Sequence, residues 1–225
     1  MIKTKKQPVS VAAVAVDAVI FSIKDGELNV LLLQAKHGPF AGDWVIPGGL
    51  VAPKESIEES VKRHMLAKVG LKDVYFEQLC TFGRVGRDPR NRVVSVAYMV
   101  LVPQGFFEPG TSGAYEAVEW RMVSDLPKLG YDHNEIVATA LERLRSRITY
   151  TNIVYGLLPK EFTLGELQKI YEIILGEKLD KRNFRKKILQ TKLLKKSSRK
   201  LIGQAHRPAE LYSFSKKNPQ FVEIV

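Results

Sequence analysis

The stretch from Gly48 to Leu71 holds the residues of this chain whose types and spacing could do chemistry. A glycine pair, Gly48 and Gly49, precedes a loop and a predicted helix that begins after Ser56, a good N-cap residue. Three positions on this helix are spaced i, i+3 and i+4, so they share one face. They are His64, Ala67 and Lys68. Mg²⁺ prefers oxygen ligands, which makes this face a poor metal site.

The same stretch resembles the Nudix box, in which Gly is followed by five residues, Glu, seven residues and then Arg-Glu-apolar-any-Glu-Glu-any-Gly-apolar. The residues that match in one register are Gly49, Glu55, Arg63, Met65, Gly70 and Leu71. The family has its three catalytic glutamates where this chain has His64, Ala67 and Lys68. In the family those carboxylates hold Mg²⁺ ions that bridge a substrate pyrophosphate. The resemblance therefore implies a Nudix domain without its metal site.

Lys68 places a positive charge where the resemblance puts the metal. Two unit charges about 4 Å apart repel by about 1 kcal/mol in water and about 4 kcal/mol at a surface-like dielectric, and a divalent ion roughly doubles this. We therefore expect no metal, no catalytic residue and no enzyme activity. Glu55 and Arg63 are expected to pair and to shape a cleft for pyrophosphate. The predicted ligand-binding residues are Gly48, Gly49, Glu55, Arg63, Lys68, Arg84 and Arg87.

An enzyme is the alternative interpretation. A Nudix hydrolase could recruit its metal through other carboxylates, and Glu55, Glu58 and Glu59 are the candidates. Glu58 and Glu59 also fall in the first turn of the predicted helix, where negative charge interacts favourably with the helix dipole.

Charge is distributed unevenly along the 225 residues. Residues 1–150 carry 19 Lys and Arg against 17 Asp and Glu, whereas residues 151–225 carry 16 against 7. A strongly basic last third indicates a polyanionic partner. The single cysteine, Cys80, excludes an internal disulfide and fits a reducing cytosol. The apolar stretch from Val9 to Ile23 contains Asp17 and predicts a strand, so we expect a cytoplasmic protein with no membrane partner.

Strands and helices are mixed along the first two thirds of the chain. Predicted strands at Val9–Ile23 and Leu28–Gln34 form a hairpin around Asp25-Gly26, and later segments predict three more strands and a helix at Asn134–Arg147. This order resembles the Nudix fold over residues 8–148. We predict an α+β protein with an α/β/α sandwich, a mixed sheet and a smaller winged helix-turn-helix domain after it.

Four arginines occur between Arg84 and Arg92 in a turn-rich loop. Guanidinium groups can bind phosphates through two parallel hydrogen bonds. The loop could equally be a solvated surface loop that Asp88 ties down. Both interpretations remain open from the sequence.

The basic third has the order helix, turn, basic helix and basic hairpin. Thr163 and Glu166 predict a capping box at the start of the first helix, and Asp180 caps a second helix over Lys181–Thr191. We predict a linker at Thr149–Pro159 and divide the chain into residues 1–148, which sense a ligand, and residues 149–225, which bind double-stranded DNA or another polyanion such as RNA. The predicted DNA-binding residues are Lys181, Arg182, Asn183, Arg185, Lys186, Lys187, Arg199, Lys200, His206 and Arg207.

The whole architecture resembles the NrtR family of Nudix-related transcriptional regulators. The similarity is clearest in Leu157–Lys187 and in Gly203–Tyr212, which contains HRPAELY. The resemblance implies a homodimeric repressor of NAD-metabolism genes that binds a palindromic operator and senses ADP-ribose or a related nucleotide, with no required cofactor. Relatives in the family sense arabinose, so a sugar effector is a further possibility.

Overall fold

The computed structural model describes residues 11–105, 115–201 and 209–222, without the side chains of residues 199–201. No helix in these ranges is both long and apolar enough to cross a membrane. In chain order the elements are β1 (Ala13–Lys24), β2 (Glu27–Ala35), β3 (Trp44–Val45), β4 (Gly48–Leu50), α1 (Ile57–Val69), β5 (Tyr75–Phe82), β6 (Val93–Leu101), β7 (Tyr115–Met122), α2 (His133–Tyr150), a 3-10 helix (Ile153–Leu157), β8 (Phe162–Thr163), α3 (Leu164–Leu175), α4 (Lys181–Gln190), β9 (Leu194–Leu201) and β10 (Ala209–Phe214).

The larger sheet is mixed, as predicted. Its strands follow the order β3-β2-β1-β6-β5, with β4 paired to β1 and β7 paired to β2. β1 runs parallel to β6 and antiparallel to β2 and β4. The predicted hairpin between β1 and β2 is present, and Asp25 and Gly26 have φ values of 52° and 80°. Positive φ at both central residues is what a two-residue type I′ turn requires.

Helices cover both faces of this sheet. Alternate side chains of β1 point to opposite faces, and β1 is buried along almost its whole length. Ile20 packs in a core with Met65 of α1, whereas Phe21 packs in a second core with Leu144 of α2. The prediction of an α/β/α sandwich is therefore confirmed.

The segment predicted as a linker is not one. α2 continues to Tyr150, beyond the predicted domain boundary, and the next residues form the 3-10 helix. Ile153 and Val154 are fully buried. They belong to the core that contains Phe21 of the sheet and Leu167 of α3. An apolar segment of this kind is more stable in a core than in water, so it joins the two halves of the chain through one continuous core.

The last third forms a winged helix. Thr163 and Glu166 make the predicted capping box, and Asp180 Oδ1 accepts a hydrogen bond from the Asn183 backbone N–H at 2.8 Å. β8, β10 and β9 form a three-stranded sheet in that order. The predicted hairpin is therefore present as β9 and β10, and its tip lies outside the described residues.

Candidate ligand cleft and basic helix

The loop and helix predicted between Gly48 and Leu71 are both present. Ser56 Oγ accepts a hydrogen bond from the Glu59 N–H at 3.2 Å, and Glu59 accepts one from the Ser56 N–H at 2.7 Å. At the other end Gly70, with φ of 68°, donates its N–H to the Leu66 carbonyl at 3.0 Å. Both ends of α1 are thus fixed by local hydrogen bonds, which sets the direction in which its side chains point.

Glu55 and Arg63 form the predicted pair. Arg63 Nε donates to Glu55 Oε2 at 2.8 Å, and the Ala52 N–H donates to Glu55 Oε1 at 2.6 Å. The hydrogen bonds from Arg63 and then from Ala52 lower the pKa of Glu55 to about 2. Arg63 also donates to the Leu50 carbonyl at 3.1 Å. The pair therefore holds the loop after β4 against α1.

A cleft of about 220 Å³ opens beside β4. Its lining comes from β1, β4, α1, the arginine loop and the segment before α2. Four of the predicted ligand residues line it, namely Gly48, Gly49, Lys68 and Arg87. The other three predicted ligand residues, Glu55, Arg63 and Arg84, are not part of that lining.

Two of the residues at the family's glutamate positions contact the glycine strand. The Lys68 ammonium donates to the Gly48 carbonyl and lies 5.3 Å from the ring centroid of Tyr115. His64 Nε2 lies 3.2 Å from the Leu50 carbonyl. A Cβ atom at Gly49 would lie 2.4 Å from His64 Cε1, so a larger residue there would displace the His64 ring. Burial lowers the pKa values of both Lys68 and His64.

Arg87 is buried at the inner end of the cleft. Its Nε and one Nη donate to the two carboxylate oxygens of Asp132 at 2.9 and 2.7 Å, and the same Nη lies 3.0 Å from Asp17 Oδ2. Ser95 donates its hydroxyl to Asp17 at 2.6 Å. Burial acts to raise the pKa of Asp17, but His133, Ser95 and Arg87 together lower it to about 2.

Arg90 and Arg84 of the arginine loop also lie beside carboxylates. Asp88 accepts two hydrogen bonds from the Arg90 guanidinium, at 3.1 and 2.9 Å. Arg90 donates a further one to the Tyr131 hydroxyl at 3.2 Å. Arg84 is exposed and lies 3.5 Å from Glu135. The loop is therefore tied down by Asp88, as one interpretation held, while Arg87 and Arg90 both face the cleft, as the other required.

The residues at the start of α2 were not among the predicted site residues. The Ile46 N–H donates to His133 Nδ1 at 3.1 Å, so Nδ1 carries no proton and Nε2 faces Asp17 Oδ1 at 3.6 Å. Tyr131 has φ of 56°, unusual for a residue with a side chain, and its ring lies 4.4 Å from that of Phe40. A lone Asp inside an apolar strand and a Tyr-Asp-His run before a helix are the signals that could have found this group.

The residues present do not fit a divalent metal. No group of three or more His, Cys, Asp or Glu side chains within the described ranges has metal-binding geometry. The one cation at the family's metal face is the Lys68 ammonium, which already uses the Gly48 carbonyl oxygen. Asp17 and Asp88, the carboxylates that line the cleft, are held by arginines.

The basic helix α4 presents one charged face. Phe184 and Ile188 are buried against α3, and Arg185 is half-buried. The other predicted DNA-binding residues of this helix are exposed, namely Lys181, Arg182, Asn183, Lys186 and Lys187. Arg199 and Lys200 lie on β9 and are described by their backbone alone, whereas His206 and Arg207 lie outside the described residues.

Two family models match the chain. One is the NUDIX domain, over residues 12–140, and the other is the NrtR DNA-binding winged helix domain, over residues 154–214. The chain is also 34% identical over 210 residues to the ADPR responsive transcriptional repressor NtrR of Acinetobacter baylyi, which covers 92% of this chain and 83% of that relative.

Two solved structures of a Shewanella oneidensis protein are also similar to this chain. Shewanella oneidensis NrtR complexed with a 27mer DNA matches with a TM-score of 0.81 and 34% identity, over 90% of this chain and 93% of that chain. The NUDIX domain of the Shewanella protein complexed with ADP ribose matches with a TM-score of 0.55 and 33% identity, over 63% of this chain and 94% of that chain.

Proposed function

The chain belongs to the NrtR family, in which a Nudix domain precedes a DNA-binding winged helix, and we propose that it is a ligand-responsive transcriptional repressor. Its winged helix binds operator DNA, and its Nudix cleft senses ADP-ribose. NAD-metabolism genes are the expected targets, because ADP-ribose is what remains of NAD when nicotinamide is removed. The proposal is supported by a relative named as an ADPR responsive repressor and by related structures with DNA and with ADP ribose.

The observation that carries DNA binding is the exposed basic face of α4. Lys181, Arg182 and Lys186 extend from a helix whose opposite side is buried by Phe184 and Ile188. A helix in this position of a winged helix-turn-helix enters the major groove, where Arg and Asn side chains can bind base edges. Arg199, Lys200, His206 and Arg207 are proposed to contact the DNA backbone from the wing.

A homodimer is part of the proposal. Two copies of α4 related by a two-fold axis would read the two half-sites of a palindrome, about 34–36 Å apart or a multiple of that distance. One winged helix with a single short recognition helix contacts few base pairs, so pairing two copies is the simplest way to reach operator specificity.

The effector is proposed to bind beside β4. Gly48 and Gly49 line this cleft, and Lys68 supplies positive charge there. Arg87 lies at the inner end, where Asp17 and Asp132 hold it. Glu55 and Arg63 act by fixing the loop after β4, and Arg84 lies outside the cleft lining. Positive charge favours a diphosphate over a neutral sugar such as arabinose.

α2 is the element proposed to carry the signal. It begins at the cleft, where Arg87 binds Asp132, and it ends in the core shared with the winged helix. Near that end Arg145 Nε donates to the Ile174 carbonyl at the C-terminus of α3 at 3.0 Å. A ligand that moves the first turn of α2 would therefore change the placement of the winged helix, and with it the DNA affinity.

The proposal contains no hydrolytic step. Of the carboxylates that an enzyme could use instead, Glu55 is held by Arg63 and Ala52, and Glu59 is held in the capping box of Ser56. Glu58 accepts a hydrogen bond from Tyr98 at 3.4 Å. None of these three glutamates lines the cleft. Their positions favour a sensor over a hydrolase.

A salt titration tests DNA binding. We expect binding to a duplex selected in vitro to weaken with a log–log slope of about −0.9 per phosphate contacted. Lys186→Ala should reduce the steepness of that slope by about one unit. Lys72→Ala, which changes an exposed lysine of the Nudix domain, is the matched control and should leave it unchanged. Fluorescence anisotropy that finds no preference for the duplex over heparin would exclude a DNA-binding function.

A further inference from the structure

Two arginines and one lysine line the cleft within the described part of the chain, and their hydrogen-bond partners differ. Arg87 is hydrogen-bonded to Asp132 and Asp17, and Arg90 is hydrogen-bonded to Asp88. Lys68 has no carboxylate within 4.0 Å in the described ranges. Its hydrogen-bond partner there is the Gly48 carbonyl, a neutral group. Lys68 is therefore the cleft cation whose charge is available to a ligand.

The position of this ammonium is fixed by contacts on two sides. The Gly48 carbonyl accepts one of its hydrogen bonds, and the face of Tyr115 lies beside it. An ammonium group has three N–H donors, so two remain after the bond to Gly48. Lys68 is half-buried, and a charged hydrogen bond is stronger in such a setting than in water.

The carboxylates that line the cleft within the described ranges are not free to bind a metal. Asp17 already accepts hydrogen bonds from Arg87 and Ser95, and Asp88 accepts them from Arg90. A divalent ion placed beside Gly48 would meet the Lys68 ammonium and these engaged carboxylates. The family's use of metal ions to bind a diphosphate therefore has no equivalent among the residues that line this cleft.

We propose that the Lys68 ammonium binds the diphosphate of the effector directly, in the role that divalent metal ions have in Nudix hydrolases. The effector then binds with full affinity in the absence of any divalent metal. This inference rests on the proposed function, because it requires an effector that contains a diphosphate.

Isothermal titration of the full-length protein with ADP-ribose tests the inference, once in excess EDTA and once in Mg²⁺. Wild-type protein should bind equally in both buffers. Lys68→Met should weaken binding by about 10- to 100-fold in both, the loss expected for one charged hydrogen bond. Lys68→Arg keeps the charge and should retain most of the affinity. Lys62→Met, an exposed lysine on the same helix, should bind like wild type.

The outcomes separate this inference from the proposed function. Wild-type binding that is lost in EDTA and restored by Mg²⁺ would overturn the inference. ADP-ribose would still be the effector in that case. Lys68→Met that binds as tightly as wild type would also overturn it. No binding by wild type in either buffer would overturn the proposed effector itself. The EDTA comparison needs no variant, so it tests the predicted metal independence even where Lys68→Met folds poorly, and Lys68→Arg then tests the role of the charge.

Discussion

At the scale of single residues, the cleft depends on a buried charge network. Arg87 joins Asp17 of β1 to Asp132 at the start of α2, and the side chains of all three are less than one tenth exposed. Buried charges are tolerated where they are paired and hydrogen-bonded. Removing the shared arginine would leave two buried carboxylates without their arginine partner. Breaking a surface ion pair, in contrast, changes the stability of the protein little.

Arg87→Met is therefore expected to lower the free energy of unfolding by about 3–5 kcal/mol, the cost of breaking a buried pair. Arg84→Met is the matched control in the same loop, because Arg84 is exposed and lies 3.5 Å from Glu135. Its effect should be about 0–1 kcal/mol. Urea denaturation of the three proteins measures the difference. Equal losses in both variants would contradict a structural role specific to Arg87.

The sequence predicted part of this site. The order of residues in the box was enough to predict the pairing of Glu55 with Arg63 and the helix that carries Lys68, because both depend on contacts within about a dozen residues. It could not predict that Asp17, Arg87 and Asp132 meet. Arg87 is 70 residues from Asp17 and 45 residues from Asp132 along the chain, and only the tertiary fold brings the three together.

At the scale of elements, the 3-10 helix after α2 is the junction of the molecule. Gly156 sits where a Cβ atom would lie 2.8 Å from Leu101 Cβ and 3.2 Å from Tyr75 Cβ. The chain therefore passes close over β5 and β6 before it enters the winged helix. The sequence of this segment predicted a linker because the segment is short and contains Gly156 and Pro159. Its structure is determined by the tertiary contacts of Ile153 and Val154.

Gly156→Ala is expected to destabilise the protein by about 1–3 kcal/mol, because the added methyl group overpacks the junction. Gly165→Ala is the matched control. The nearest atom to its Cβ is Thr163 Oγ1 at 3.7 Å, and replacing a glycine in a helix by alanine adds up to about 1 kcal/mol of stability. Urea denaturation should therefore give changes of opposite sign. A Gly156→Ala variant with an unchanged free energy of unfolding would contradict this prediction, because it would show that the junction accommodates the methyl group.

At the scale of the whole molecule, one core connects the cleft to the basic helix α4. It runs from the sheet through α2 and the 3-10 helix to Phe184 and Ile188 beneath the basic face of α4. The concentration of positive charge in residues 151–225 predicted the exposed basic surface of α4. It could not predict the shared core. Apolar periodicity shows which face of an element is buried but not the element that covers it.

We expect ligand binding in the cleft and DNA binding by the basic face of α4 to influence each other. The most direct test is to measure the affinity for a selected palindromic duplex by fluorescence anisotropy, in EDTA, with and without saturating ADP-ribose. We predict a change in Kd of about tenfold or more, and linkage requires an equal change in the affinity for ADP-ribose when DNA is bound. Kd values that agree within about twofold at saturating ADP-ribose would correspond to a coupling near zero and would contradict the account.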